Sequence, residues 1–268
     1  MNNILEDICV KGLSKVKETN ESLRIDNIII GKSMYTINNC NKTFSDMNFC
    51  LVLLENGYGF SYFQQDITYD VKKYVNMDIS EVLKEDLPQF FKVALIDSIY
   101  SIINRPIRKQ SEVLFSGDLR NKAKERASKL MTDIPAKSKV LLLGGVSEFI
   151  EEAKLRDIEL TVLDLEPEKI NLEISSNRII SGKDYDLANN IDKIDYIIAT
   201  GMIFESNTAT DLFDLVNKSK TKLIMFMETG SNFGSQLLEY GADMVLSEYF
   251  PYYDFYDDMK YSIFRKTK

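Results

Sequence analysis

The sequence predicts an α/β protein: a C-terminal Rossmann-like, mostly parallel sheet with helices on both faces, preceded by a smaller N-terminal α+β domain. Three observations carry this. From Lys139 onward, short strands that are apolar throughout ("KVLLLGG", "ELTVLDLEP", "DYIIATG", "TKLIMFMETG") alternate with helical stretches, the pattern of parallel strands buried on both faces. The first hundred residues instead run helix, strands, helices. Between the two, residues 105–120, "RPIRKQSEVLFSGDLR", are polar, lack a periodic apolar pattern and contain Pro106 and Gly117, which predicts a linker or crossover. The expected domains are therefore 1–110 and 111–268.

Each element has its own signal. Ile4, Leu5, Ile8, Cys9, Leu13 and Val16 recur at helical spacing and predict an opening amphipathic helix. "LRIDNIIIGKSMYTINN" predicts one or two strands, and "FCLVLLENGYGFSYF" a hairpin turning at Glu55-Asn56-Gly57. The stretch from Pro88 to Asn104 is apolar on nearly every side, as a buried helix requires. Leu119–Met131 is charged and predicts a surface helix. After it come a strand, the helix "SEFIEEAKLRD", a strand, the weaker strand "RIISGKD", a strand, the helix "NTATDLFDLVNKS" and a further strand. The ending "GADMVLSEYFPYYDFYDDMKYSIFRK" has strand character on both sides of an aromatic, acidic turn, the pattern of a terminal hairpin.

Composition narrows the chemistry. The formal charge is −8 and the acidic residues are spread along the chain, which argues against a nucleic-acid or anionic-membrane surface. No apolar run is long enough for a membrane span and no secretory signal is apparent, so the cytoplasm is the expected location. Cys9, Cys40 and Cys50 match no zinc spacing. Histidine is absent, which removes every His-based general base, nucleophile system and metal ligand. Proton transfer then falls to Asp, Glu, Lys, Tyr or Cys, and a metal to carboxylates, carbonyls or those thiolates.

In an open parallel sheet, ligands bind beyond the carboxyl ends of the strands. Four strand ends carry suitable residues. Gly144-Gly145 precedes a helix starting near Ser147; it is not the G-x-G-x-x-G fingerprint, and a tight turn capped by Ser147 explains it equally well. Asp164 and Glu166 end the next strand about 20 residues on, where acidic residues hold ribose hydroxyls in dinucleotide and adenosylmethionine enzymes. Thr200-Gly201 ends a third strand, followed by Ser206, Asn207 and Thr208, any of which suits a helix cap, with Asp211 placed for a capping box from Thr208. Glu228, Thr229, Gly230 and Ser231 end a fourth, before a helix starting near Gly234, an arrangement suited to an anion.

"ATGMIFESNTATDLF" and "ETGSNFGSQLLEYGAD", with "VLLLGG", "VLDLEPE", "ENGYGFSYF" and "ALIDSIYSIINR", resemble a family that joins an enolase-N-terminal-like domain to a Rossmann-like domain associated with heavy-metal chelation. Where that family has Gly-Pro-Ser, this chain has Thr229-Gly230-Ser231. The resemblance implies a protein that binds a metal ion or metal complex in the cleft between two domains. The alternative expectation is a methyltransferase-like enzyme using S-adenosylmethionine or a nucleotide cofactor. A third is an interaction module using the aromatic run "EYFPYYDFYDDMKY". The expected partner is a small molecule or metal complex, with no nucleic acid and no membrane, and self-association into a homo-oligomer is open.

Overall fold

Asn3 opens the first helix by accepting the Leu5 amide on its side chain, and the apolar stripe of Ile4, Leu5, Ile8 and Val16 is buried along α1 (Ile4–Val16). The computed structural model describes residues 3–19, 21–38, 43–64, 69–110, 112–251 and 258–266. Cys40 and the aromatic residues 252–257 lie outside them. Strands β1 (Ile25–Asn38), β2 (Thr43–Leu54) and β3 (Gly57–Phe63) form an antiparallel meander, with the β2–β3 turn where the sequence predicts it. Asp78 caps the short α2 (Ile79–Val82), and α3 (Gln89–Ile103) follows Pro88.

Residues 105–120 are not a linker. They form α4 (Arg105–Gln110) and β4 (Glu112–Phe115), and β4 pairs antiparallel with the last strand. The strand is four residues long and buried on one side only, with Phe115 inside and Leu114 outside. So short an edge strand leaves no readable periodicity. Asp118 then caps α5 (Leu119–Leu130).

The rest builds the large sheet. Its elements are β5 (Lys139–Leu143), α6 (Ser147–Leu155), β6 (Glu159–Asp164), β7 (Glu173–Ile174), β8 (Asn177–Ser181), α7 (Leu187–Asn190), β9 (Tyr196–Thr200), α8 (Met202–Glu205), α9 (Ala209–Asn217), β10 (Lys222–Met227), α10 (Leu237–Tyr240), β11 (Met244–Glu248) and β12 (Met259–Arg265). The strand order is β4-β12-β11-β10-β9-β5-β6-β8-β7. The six strands from β11 to β8 are parallel; β12 and β7 run against their neighbours β11 and β8. No helix among the described residues is long and apolar enough to cross a membrane.

Alternate side chains of these strands enter opposite cores, as the two-residue strand period demands. Leu141, Leu163, Ile197, Leu223 and Met225 face one core, where Ile4, Ile8, Val93, Ile96 and Tyr100 of α1 and α3 meet Phe213 of α9. Val140, Leu142, Val162, Ile198 and Ile224 face the other, against Ala127 and Leu130 of α5 and Phe149 and Ile150 of α6. The far side of α3 packs through Phe91, Ala94, Leu95 and Ile99 on Cys50, Val52 and Phe63 of the small sheet. The layers are thus small sheet, helices, large sheet, helices. This placement explains why α3 is apolar all round.

The free edge of β3 is closed by side chains and by the turn after β10. The Phe60 amide donates to Asp97 Oδ2 and the Tyr62 amide to Thr229 Oγ1; the Phe60 carbonyl accepts from the Gly230 amide and the Tyr58 carbonyl from Asn232 Nδ2. A bare strand edge between two sheets would leave these groups unpaired, which burial makes costly.

Candidate functional site

β5 has β6 on one side and β9 on the other, so the strand order reverses there and the carboxyl ends of β5 and β9 open a crevice. A cavity of about 900 Å³ occupies it, its walls formed by the ends of β5, β6, β9 and β10, by α5, and by Met47, Tyr62 and Gln64 from the small sheet. Of the twelve residues singled out in the sequence, Gly144, Gly145, Asp164, Thr200, Gly201, Thr208, Glu228 and Thr229 line it; Glu166, Asn207, Gly230 and Ser231 do not.

Gly144 turns the chain with φ +106°, a conformation that favours glycine. The next amide is already used, because Gly145 N–H donates to Asp164 Oδ2 at 2.7 Å. Asp164 Oδ1 accepts from the Glu166 amide at 2.9 Å, and Lys169 Nζ lies 3.4 Å from Asp164 and 2.7 Å from Glu166. Asp164 thus latches the glycine turn to β6 while also lining the cavity. Glu166 is buried against Lys169 and does not reach the cavity. Ser147 is not the cap of α6 either; Val146 holds that position and the Ser147 hydroxyl donates to Glu148.

After Thr200, Gly201 passes so close to the Thr229 carbonyl that a Cβ on Gly201 would collide with it. The short α8 follows, and Asn207 reverses the chain with φ +59°, which asparagine tolerates better than most residues. Thr208 occupies the N-cap position of α9 without making the capping bond; its hydroxyl instead pairs with Ser206 at 3.0 Å. The capping-box expectation is therefore not met. Glu205, at the end of α8, lines the cavity, and burial raises its carboxyl to about 7.

The turn Thr229–Ser231, expected as an anion site, is spent on the seam between the sheets. Thr229 Oγ1 and the Gly230 amide cap β3, and Ser231 is fully buried. Glu228 alone of that group turns its charge to the cavity. It belongs to a cluster around Arg126: Nη2 pairs with Glu148, and Nη1 with Glu248 and, at 3.6 Å, with Glu228. The guanidinium lies over the Phe226 ring, 4.8 Å from its centroid. Burial first, and then the charge of Glu248, raise the Glu228 carboxyl against the opposing pull of Arg126.

The residues present do not fit a bare metal ion. Among the described residues no group of three carboxylates or thiols is placed to hold a metal ion; Glu148, Glu228 and Glu248 converge instead on the Arg126 guanidinium. Sequence reasoning missed Arg126, Glu148, Glu248 and Lys169. Arg126 sits in "NKAKERASK", where nothing separates it from other surface charges, and its partners Glu148 and Glu248 are 22 and 122 residues away. Glu166 and Lys169, three apart on one turn, carried a readable signal.

No family model and no curated protein matches the chain. Two solved structures match it along nearly its whole length. One is a protein of unknown function from the DUF364 family of Desulfitobacterium hafniense DCB-2, 12% identical, with TM-score 0.62, covering 97% of this chain and 99% of that one. The other, from the same family in Pyrococcus horikoshii, is also 12% identical, with TM-score 0.53 and the same coverage. At that identity the likeness is one of fold: this chain shares the two-sheet α/β architecture of those proteins.

Proposed function

We propose that this chain binds a small molecule in the crevice at the carboxyl ends of β5 and β9, with the small sheet as its outer wall. One observation carries the reading: a cavity of about 900 Å³ lies at the reversal of strand order, where open parallel sheets hold their ligands. Its volume of about 900 Å³ suits a molecule of cofactor size. Metal handling, which the resemblance to the chelation family implies, is confined here to a metal that arrives in its own chelate. A second reading, an enzyme using S-adenosylmethionine, is favoured by the glycine turn and acidic strand end beside that crevice.

Ala123 of α5 lines the cavity and is only partly exposed, so Ala123→Trp fills the space without removing a polar contact. Native mass spectrometry of the full chain purified from expressing cells should show a retained small molecule that is absent from the folded Ala123→Trp variant. Identical spectra for the two proteins would overturn the proposal.

A further inference from the structure

The polar groups of this cleft are committed unevenly. Of its basic side chains, Arg126 is held by Glu148, Glu228 and Glu248, and Lys169 by Asp164 and Glu166. Arg120 is exposed. The Gly145 amide of the glycine turn is taken, since it donates to the Asp164 carboxylate. A carboxylate thus stands beside the glycine turn, and Glu148 occupies the first turn of α6 that follows it. A phosphorylated ligand would meet like charge there.

Two other residues of the cavity lining have the complementary property. Glu205 and Asp211 both line it, and no described residue pairs with either. Glu205 is partly buried and Asp211 exposed, and Ile203, Leu212 and Leu215 also line the cavity, so a charge brought to Glu205 would be less screened than one in bulk water. Burial alone holds the Glu205 carboxyl up at about 7, the response of a carboxylate lacking a counter-charge.

Taking the cleft as the ligand site, we propose that it receives a small organic cation without phosphate, a protonated amine or a sulfonium, whose charge is set against Glu205 and Asp211 while its apolar part lies on the surrounding leucines. The carboxylates beside the glycine turn and on α6, Asp164 and Glu148, disfavour the phosphates of ATP and NAD.

Titration calorimetry on the full chain with S-adenosylmethionine, spermidine, ATP and NAD tests this. At least one of the two cations is expected to bind, and ATP and NAD not to. Glu205→Gln combined with Asp211→Asn should weaken the cation about tenfold or more, the usual loss when a charge-assisted contact is removed, while the unfolding midpoint stays the same. ATP or NAD binding as tightly as either cation, no binding by both cations, or binding indifferent to the double substitution would each overturn the assignment of ligand class. Ala123→Trp separates the two levels. A phosphorylated probe that it displaces leaves the cleft reading standing and removes only the cation. A probe that still binds the folded Ala123→Trp variant removes the cleft reading itself.

Discussion

At Asp97, both carboxylate oxygens accept hydrogen bonds from two different parts of the fold: Oδ1 from the Asn232 amide at 2.7 Å, and Oδ2 from the Phe60 amide and Asn232 Nδ2, each at 2.9 Å. The residue is fully buried, and that burial, opposed by the same hydrogen bonds, brings its carboxyl to about 7. Its folded value therefore lies above the unfolded one near 4. The proton it retains on folding adds stability that is complete below about pH 4 and fades as pH rises through about 7. Asp97→Asn turns an amide NH2 toward donors that need an acceptor, a loss of about 2–4 kcal/mol at pH 5. Because wild type loses its proton-linked contribution on the way to neutrality, the cost should be smaller at pH 8. Urea unfolding of both proteins at the two pH values checks this, and a cost that grows with pH would contradict it. Asp97 could not be singled out from the sequence: in "KVALIDSIYSIINR" it is one acidic residue in an apolar helix, and its partners come from β3 and from the turn after β10.

Among the elements, α3 depends most on its neighbours' shape. It lies across β3 where Gly59 stands, and a Cβ at Gly59 would run into the Ala94 carbonyl and the Ser98 amide of the helix backbone. No side-chain rotation relieves a clash with backbone, so Gly59→Ala has to push helix and sheet apart. The expected cost is about 3 kcal/mol, seen as a lowered midpoint in thermal unfolding; Gly57→Ala, whose Cβ would meet the Ser101 side chain, should cost less. A Gly59→Ala protein as stable as wild type would mean that the helix does not seat on this strand. Elements of this kind were the legible part of the sequence. The all-round apolar surface of α3 announced its burial, and the uniformly apolar strands announced a parallel sheet, because both patterns follow from which faces lose water. The α4–β4 stretch was not legible, since β4 owes its existence to pairing with β12, some 150 residues away. The site divides in the same way. Gly144, Asp164, Thr200 and Glu228 were readable as residues ending apolar runs, whereas the pairing of Glu228 with Arg126 follows from how distant segments are brought together.

For the molecule as a whole, the layer order has a consequence for how it folds. One face of the large sheet is covered by α1 and α3, elements from the first 103 residues, together with α9, so the Rossmann-like part loses much of one covering layer when the N-terminal part is removed. We propose the division 1–110 and 111–268 as a division of architecture and not of folding. The core that holds Leu141, Leu163, Ile197, Leu223 and Met225 would lose Ile4, Ile8, Val93, Ile96 and Tyr100, and apolar surface exposed in their place is unfavourable at about 25 cal/mol per Å². The full chain is therefore expected to unfold in one cooperative transition, with near-ultraviolet and far-ultraviolet dichroism coinciding. Residues 111–268 expressed alone should bind a hydrophobic dye and melt without a sharp transition, and adding residues 1–110 in trans should restore cooperative melting. Two separated transitions in the full chain, or a fragment 111–268 that melts cooperatively without dye binding, would show instead that the large sheet closes its core unaided.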